Sequence, residues 1–275
     1  MANAESRATP PRIVSQAEWR AARIALLTRE KELTAMKDAV AAERRALPWV
    51  RVEKDYVFDG PSGLVTLSQL FEGRSQLFIK HFMMGPGQSH HCVGCSLEVD
   101  HLAGIRVHLE NHDLSYAVVA RAPIDEIERL KHKMGWDFPW VSSYRNRFNF
   151  DFHVSFTDDE IALGRGYYNY AEVGVNPGMI DLSGDSVFIK DAGQIYHTYS
   201  TYGRGGEQFL GIYGYLDATP NGRAENGPYH SLPDWVRLHN MYGRGGTVEG
   251  TGRYHAAECG CAAHPQGQRL AEGGV

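Results

Sequence analysis

The spacing of apolar residues along this chain changes several times, and each change predicts an element. Over residues 15–45 the apolar positions recur at helical intervals, with Trp19, Ile24, Leu33, Met36 and Val40 as the expected contacts. Ser15-Gln16-Ala17-Glu18 forms a capping box, in which Ser15 and Glu18 each satisfy an early backbone amide. A long, highly charged helix is therefore predicted, with a break near Thr28. Tyr56-Val57-Phe58 and residues 64–70 predict a short strand and a further element around the turn Gly60-Pro61-Ser62-Gly63. Residues 76–83 and 115–120 read as strands, and the second is apolar enough for burial on both faces. Between them Cys95, Val99, Leu102, Ile105 and Leu109 keep a helical period to about Asn111. That makes a βαβ unit, whose crossover is right-handed and whose strands are parallel. A second helix opens at Pro123 and closes at Gly135, with Ile124, Ile127, Leu130 and Met134 facing inward.

Phe148, Phe150, Phe152, Val154 and Phe156 alternate with polar residues, as in a half-buried strand. Residues 186–189 and 194–198 flank Lys190-Asp191-Ala192-Gly193, an antiparallel hairpin, and residues 208–216 predict a final short helix. From Thr219 the chain is rich in Gly, Pro and Asn, and beyond Gly243 it reads as a tail. The expected organisation is an N-terminal, mainly helical extension over 1–51, a globular domain over 52–219, and a Gly-rich segment with a flexible tail over 220–275.

Composition narrows the function. A chain of 275 residues, 43% hydrophobic and 22% charged, can bury one large core. Its net charge of −5 gives no reason to expect nucleic acid or an anionic membrane as a partner. No apolar run approaches the ~18 residues of a membrane span, and residues 1–11 lack the apolar centre of a secretory signal. A cytoplasmic protein with reduced thiols is expected. The four cysteines fall in two close pairs, Cys92/Cys95 and Cys259/Cys261, which suits catalysis or metal binding better than a disulfide framework.

Cys92 and Cys95 form a Cys-x-x-Cys between a predicted strand and a predicted helix. A thiol at a helix N-terminus meets unsatisfied amides and the positive end of the helix dipole, and both favour the thiolate. The element order, strand–CxxC–helix–strand–helix and then a late hairpin and helix, is the thioredoxin-like layout.

Residues 52 to about 219 also resemble a bacterial family known only as a thioredoxin-like domain of unknown function, the one numbered 899. The resemblance is carried by Phe82-Met83-Met84-Gly85 leading into Cys92-Val93-Gly94-Cys95. Phe138-Pro139-Trp140-Val141-Ser142-Ser143, Ser186-Val187-Phe188-Ile189-Lys190-Asp191 and Tyr196-His197-Thr198-Tyr199-Ser200-Thr201-Tyr202 carry it further. It implies a three-layer α/β sandwich, thioredoxin-like or peroxiredoxin-like. Within that resemblance Ser89 stands three residues before Cys92, where peroxiredoxins place a hydroxyl. Pro86 stands six residues before it rather than the seven of their pattern. Asp185 falls where thioredoxin-like reductases place a cis-proline against the thiols.

The leading expectation is a thiol–disulfide oxidoreductase or peroxiredoxin-like reductase that requires no cofactor. Cys92 is the nucleophile and Cys95 resolves. His91 or His90 tunes the thiolate and Ser89 is a possible hydrogen-bond donor. The substrate is a small thiol, a disulfide, a peroxide or a protein thiol. The alternative expectation is a copper- or zinc-binding protein, or a copper-dependent oxidase. Its ligands come from His90, His91, Cys92, Cys95 and Asp185. In the tail, Cys259 and Cys261 either exchange with the central pair or carry Cu(I). His101, six positions beyond Cys95, is a weaker candidate on another side of the helix. The pentapeptide Tyr-Gly-Arg-Gly-Gly occurs at 202–206 and at 242–246, as an anion-holding turn or a coincidence of loop composition. Homodimerisation through the N-terminal helix is a further expectation.

Overall fold

Along the chain a computed structural model gives α1 (Gln16–Arg45), β1 (Val50–Arg51), β2 (Val57–Gly60), β3 (Gly63–Thr66), β4 (Gln76–His81), α2 (Val93–Asp100), α3 (Leu102–Asn111), β5 (Leu114–Ala120), α4 (Ile124–Met134), β6 (Trp140–Ser142), α5 (Phe148–Asp151), α6 (Asp158–Leu163), β7 (Arg165–Tyr168), β8 (Ala171–Gly174), β9 (Gly184–Asp191), β10 (Gln194–Tyr202) and α7 (Gly211–Asp217). It describes residues 11–242, 247–248 and 254–255, so the tail pair Cys259 and Cys261 lies outside the described residues. Eight strands form one sheet in the order β1-β10-β9-β4-β5-β6-β2-β3. β4, β5 and β6 are mutually parallel, and β9 and β10 add to β4 as an antiparallel hairpin. The two parallel crossovers therefore run β4–α2/α3–β5 and β5–α4–β6.

Alternation along the strands divides the core between the two faces of the sheet. Phe82, Tyr116, Val118, Ala120 and Trp140 meet Cys95, Val99, Ile127, Leu130 and Met134 of α2 and α4 on one face. Leu77, Ile79, Ala117, Val119 and Phe188 meet Phe58, Phe71 and Phe148 on the other. The third layer is thus built from α5 and the short turn Gln69–Phe71 rather than from long helices. Each fully buried phenylalanine here stabilises the fold by about 2–3 kcal/mol.

Several elements differ from the sequence expectation. The alternating stretch 148–156 is not a strand: α5 and a loop replace it and bring the tilted rings of Phe148 and Phe152 together, 4.6 Å between centroids. The helix expected over 95–111 begins at Val93 and is broken at His101 into α2 and α3. The break rotates the apolar stripe, so Leu102 is buried and Ile105 is 47% exposed. α1 forms with its capping box and runs unbroken past Thr28, but none of its residues is buried. Trp19, Ile24, Leu33 and Met36 are each more than half exposed, so they are not core contacts. Within the Gly- and Pro-rich segment after Thr219, Trp235, Val236 and Leu238 are buried. Among the described residues no helix is long and apolar enough to cross a membrane.

One buried group ties stability to pH. His81 is fully buried, stacks on Phe148 and Phe152 at 5.5 and 5.8 Å, and shares a 2.8 Å hydrogen bond between Nε2 and Ser186 Oγ. Burial first, then the Lys80 and His197 charges, push its pKa down from 6.5 to about 3. Across that window the unfolded chain binds the extra proton, so stability falls as pH falls. Between pH 6.5 and 5 the loss from this group is about 2 kcal/mol. Denaturant midpoints at the two pH values measure it. A His81→Phe protein should lose that part of the slope, and an unchanged slope would contradict the assignment.

Candidate active site: a dithiol above a buried ion cluster

β4 delivers the chain to the edge of the helical face, and the loop 82–91 turns it back into α2. Gln88 holds that loop: its Oε1 accepts from Gly85 N at 3.0 Å and its Nε2 donates to His90 O at 2.9 Å. Cys92 is the N-cap of α2, and its Sγ accepts a 3.2 Å hydrogen bond from Cys95 N. Thiolate sulfur thereby takes the role that serine or aspartate oxygen has at an ordinary N-cap. Cys92 is partly exposed and Cys95 is buried, and both are free thiols.

The two sulfurs are electrostatically unequal. The pKa of Cys92 is lowered from 9.0 to about 7, chiefly by the hydrogen bond from the Cys95 thiol. Burial opposes that shift; the Cys95 and Gly94 N–H groups and the Lys80 charge reinforce it. Cys95 is pushed well above the ordinary thiol range by burial first, then by Cys92. The partly exposed cysteine is therefore the one that ionises near neutrality, and the buried one keeps its proton.

Beneath Cys95 lies a cluster that the sequence reading missed. Lys80 of β4 is 1% exposed, with Nζ 2.5 Å from Glu98 Oε2, 3.3 Å from Asp185 Oδ1 and 3.2 Å from Ser183 Oγ. Glu98 is one turn after Cys95 on α2 and so shares its face. Asp185 is directly opposite Lys80 in the β4–β9 ladder. Burial favours the uncharged lysine, but the Asp185 and Glu98 carboxyls outweigh it and carry the pKa well above 10.5. Glu98 is pushed the same way, towards its neutral form, by burial and by Asp185, against the pull of Lys80. Glu98 Oε1 and both Asp185 oxygens have no hydrogen-bond partner. The available signals were a lysine inside the apolar run Leu77-Phe78-Ile79-Lys80-His81-Phe82 and a glutamate on the face of Cys95. A charge in a strand buried on both faces must be paired.

The other expected residues fall in different places. Ser89 is exposed, and the hydrogen bond to Cys92 Sγ comes from Cys95 instead. His90 is exposed and His91 partly so, and both line the cavity over the thiols. Burial, then Lys133 and His90, lower the pKa of His91, which disfavours the imidazolium expected to tune Cys92. Asp185 lies inside β9, with its carboxyl 3.3 Å from the Lys80 ammonium. Among the described residues no group of three or more His, Cys, Asp or Glu side chains is arranged to hold a metal ion. His101 is a joint: Nδ1 shares a 2.6 Å hydrogen bond with Leu97 O, and Nε2 accepts from Ile212 N at 3.1 Å. The glycine-rich turn at 203–206 lines the cavity, while its repeat extends into residues 243–246, outside the described residues.

A parallel β4–α2/α3–β5 crossover, an antiparallel β9–β10 hairpin on its open side and a dithiol capping α2 define a thioredoxin-like protein. The chain belongs to the family described as "Bacterial protein of unknown function (DUF899)", whose model matches residues 8–242. Among solved structures it is similar to a cysteine-to-serine mutant of peroxiredoxin Q from Xanthomonas campestris, at 14% identity over 61% of this chain and 98% of that one, with a TM-score of 0.41. It is also similar to peroxidoxin BcpB from Mycobacterium tuberculosis, at 12% identity over 60% and 94%, with a TM-score of 0.38. A third similarity is to a protein named as a thiol:disulfide interchange protein, DsbE, of Chlorobium tepidum, at 11% identity over 60% and 96%, with a TM-score of 0.35. No curated protein matches the chain. The fold assignment rests on strand order and connectivity.

Proposed function

We propose that this protein is a thiol–disulfide oxidoreductase acting through Cys92 and Cys95. The observation that carries the reading is the asymmetry of the pair: a partly exposed Cys92 with its pKa near 7, and a buried Cys95 that holds its proton. Cys92 thiolate attacks a substrate disulfide, forms a mixed disulfide and expels the first substrate thiolate, which takes a proton from solvent. Cys95 then loses its proton, attacks Cys92 Sγ and releases the second thiol. The substrate gains two electrons and the protein becomes the Cys92–Cys95 disulfide. The Lys80 ammonium, which favours the ionised form of Cys95, stabilises the thiolate that this second attack needs. A cellular dithiol of the reducing cytoplasm returns the pair to the thiol form.

Disulfide exchange is favoured here over peroxide reduction because Ser89 is exposed, whereas Cys95 donates to Cys92 Sγ from both its thiol and its backbone N–H. The test is a pH–rate profile for oxidation of the reduced protein by a small disulfide. The rate should rise about tenfold per pH unit below the Cys92 pKa of about 7 and level off above it. A midpoint near the ordinary thiol value, or an unchanged profile in Cys92→Ser, would remove the reading. So would about one copper or zinc per chain in protein purified without a histidine tag, lost in Cys92→Ser.

A further inference from the structure

The cleft in front of Cys92, open to solvent, is flanked by two stretches of chain. One wall is the turn at 203–207, brought down on the buried carboxyls by glycine: a Cβ on Gly206 would stand 2.9 Å from Asp185 Oδ2. The facing wall, residues 231–233, belongs to a strap that crosses α2. Asp234 knots the strap, accepting from Gly227 N at 3.1 Å, Tyr229 N at 3.0 Å and Ser231 N at 3.3 Å. Trp235 and Val236 are buried with Leu210 and Tyr213, and Val93, Leu97 and Leu232 pack against them. Leu232 Cδ1 fills the notch left by the missing side chain of Gly94, 3.1 Å from where a Cβ would be. The glycine inside Cys92-Val93-Gly94-Cys95 thus seats the strap beside the nucleophile.

The space between the turn and the strap is about 490 Å³, within the ordinary range of small-molecule sites. Its carbon-rich lining includes Met83, Met179, Val93, Leu210, Leu232 and Pro233, with two flexible thioethers that adapt to the shape of a guest. At its depth Glu98, 8% exposed, has an Oε1 with no hydrogen-bond partner. Arg204 and Glu207, also in the lining, pair with each other at 2.8 Å, so a charged body would lose hydration against the carbon-rich surface and compete with that pair, whereas an apolar body would not.

Resting on the dithiol reading, we infer that the substrate is a low-molecular-weight, uncharged organic disulfide with an apolar body, bound between the 203–207 turn and the strap. Leu232 and the 203–207 turn flank the approach to Cys92, which favours a small guest over a disulfide carried on a folded protein. A charged disulfide must shed water against the carbon-rich lining. Each single turnover oxidises one Cys92–Cys95 dithiol and reduces one guest disulfide to two thiols, so electrons balance without a further reductant.

The test uses the full, pre-reduced chain in single turnover with uncharged dipyridyl disulfide, dianionic dithiobis(nitrobenzoate) and insulin. Each rate is normalised to that of free dithiothreitol with the same oxidant. The uncharged probe should exceed each of the other two by at least about tenfold. Leu232→Arg, which adds a cation to the wall, should reverse the preference between the two aromatic probes. Leu232→Phe, which fills the space without charge, should slow both by a larger factor than it slows alkylation of Cys92 by the smaller iodoacetamide. Equal normalised rates, or insulin reduced as fast as the uncharged probe, would overturn the inference and leave the dithiol reading intact. Failure of every probe to oxidise the pair would overturn both.

Discussion

Cys95→Ser protein is expected to accumulate a stable mixed disulfide at Cys92 with a small uncharged disulfide. Cys92→Ser protein should lose exchange by a factor of at least about 10³, because a serine hydroxyl is not ionised near neutrality as a thiolate is. The two outcomes differ because the sulfurs have different tasks. Cys92 is partly exposed at the mouth of the cavity, and its pKa is drawn down to about 7 by the Cys95 thiol and then by the N–H groups of α2 and Lys80. Cys95 is buried, so an incoming disulfide reaches it only through Cys92. Removing Cys95 leaves the first step possible and blocks the second. Cys95→Ala protein, which has no donor at that position, also loses the largest contribution to the low Cys92 pKa, so its trapped species should form more slowly at pH 7 than the wild-type intermediate. Mass spectrometry of the intact protein after exposure to a small disulfide reads both results. A mixed disulfide at Cys95 in the Cys92→Ser protein would contradict the assignment of roles.

The second large effect belongs to Lys80. Its ammonium is shared by Glu98 and Asp185, all three 8% exposed or less. Removing one member of a buried ionic group leaves uncompensated charge, and such changes destabilise by about 3–5 kcal/mol. Lys80→Met should lose that much in chemical denaturation, and the remaining carboxyls should take up protons. Its Cys92 should also titrate at a higher pH than in wild type, because the Lys80 charge is one cause of the lowered value. Replacing all three residues by Met, Gln and Asn keeps the volume and removes the charge, and should recover part of the stability while leaving the Cys92 shift. A Lys80→Met protein within 1 kcal/mol of wild type and with an unmoved Cys92 would show that the cluster is neither structural nor coupled to the thiols.

How far the sequence could be read followed the range of the interactions. β4, β5, α4 and the β9–β10 hairpin were legible because their signals are local: apolar runs, Pro123 before and Gly135 after a helix, and Ala192-Gly193 at the hairpin turn, both at positive φ. The Cys92/Cys95 pair was legible because helix capping depends on neighbours within one turn. The 148–156 stretch misled because alternation was the visible signal, whereas its aromatic rings are gathered by tertiary contacts, stacked on His81 and tilted or edge-on against Phe188. The helix break at His101 was hidden for the same reason, since its ring is held by Ile212 from 111 residues away. Lys80, Glu98 and Asp185 come from three elements, so only the strand register brings them together. The strap could not be anticipated from its Gly- and Pro-rich composition, because its burial depends on the notch at Gly94.

The central claim is that these two sulfurs exchange electrons with each other. Its most direct test is a redox titration of the full chain carrying Cys259→Ser and Cys261→Ser, so that only the Cys92–Cys95 pair responds. Equilibration in dithiol–disulfide buffers of graded potential should show one reversible two-electron transition, with two thiols lost per chain and the Cys92–Cys95 bond found in the digested protein. Two thiols that stay reduced across the whole range, or that oxidise independently without forming that bond, would contradict the account.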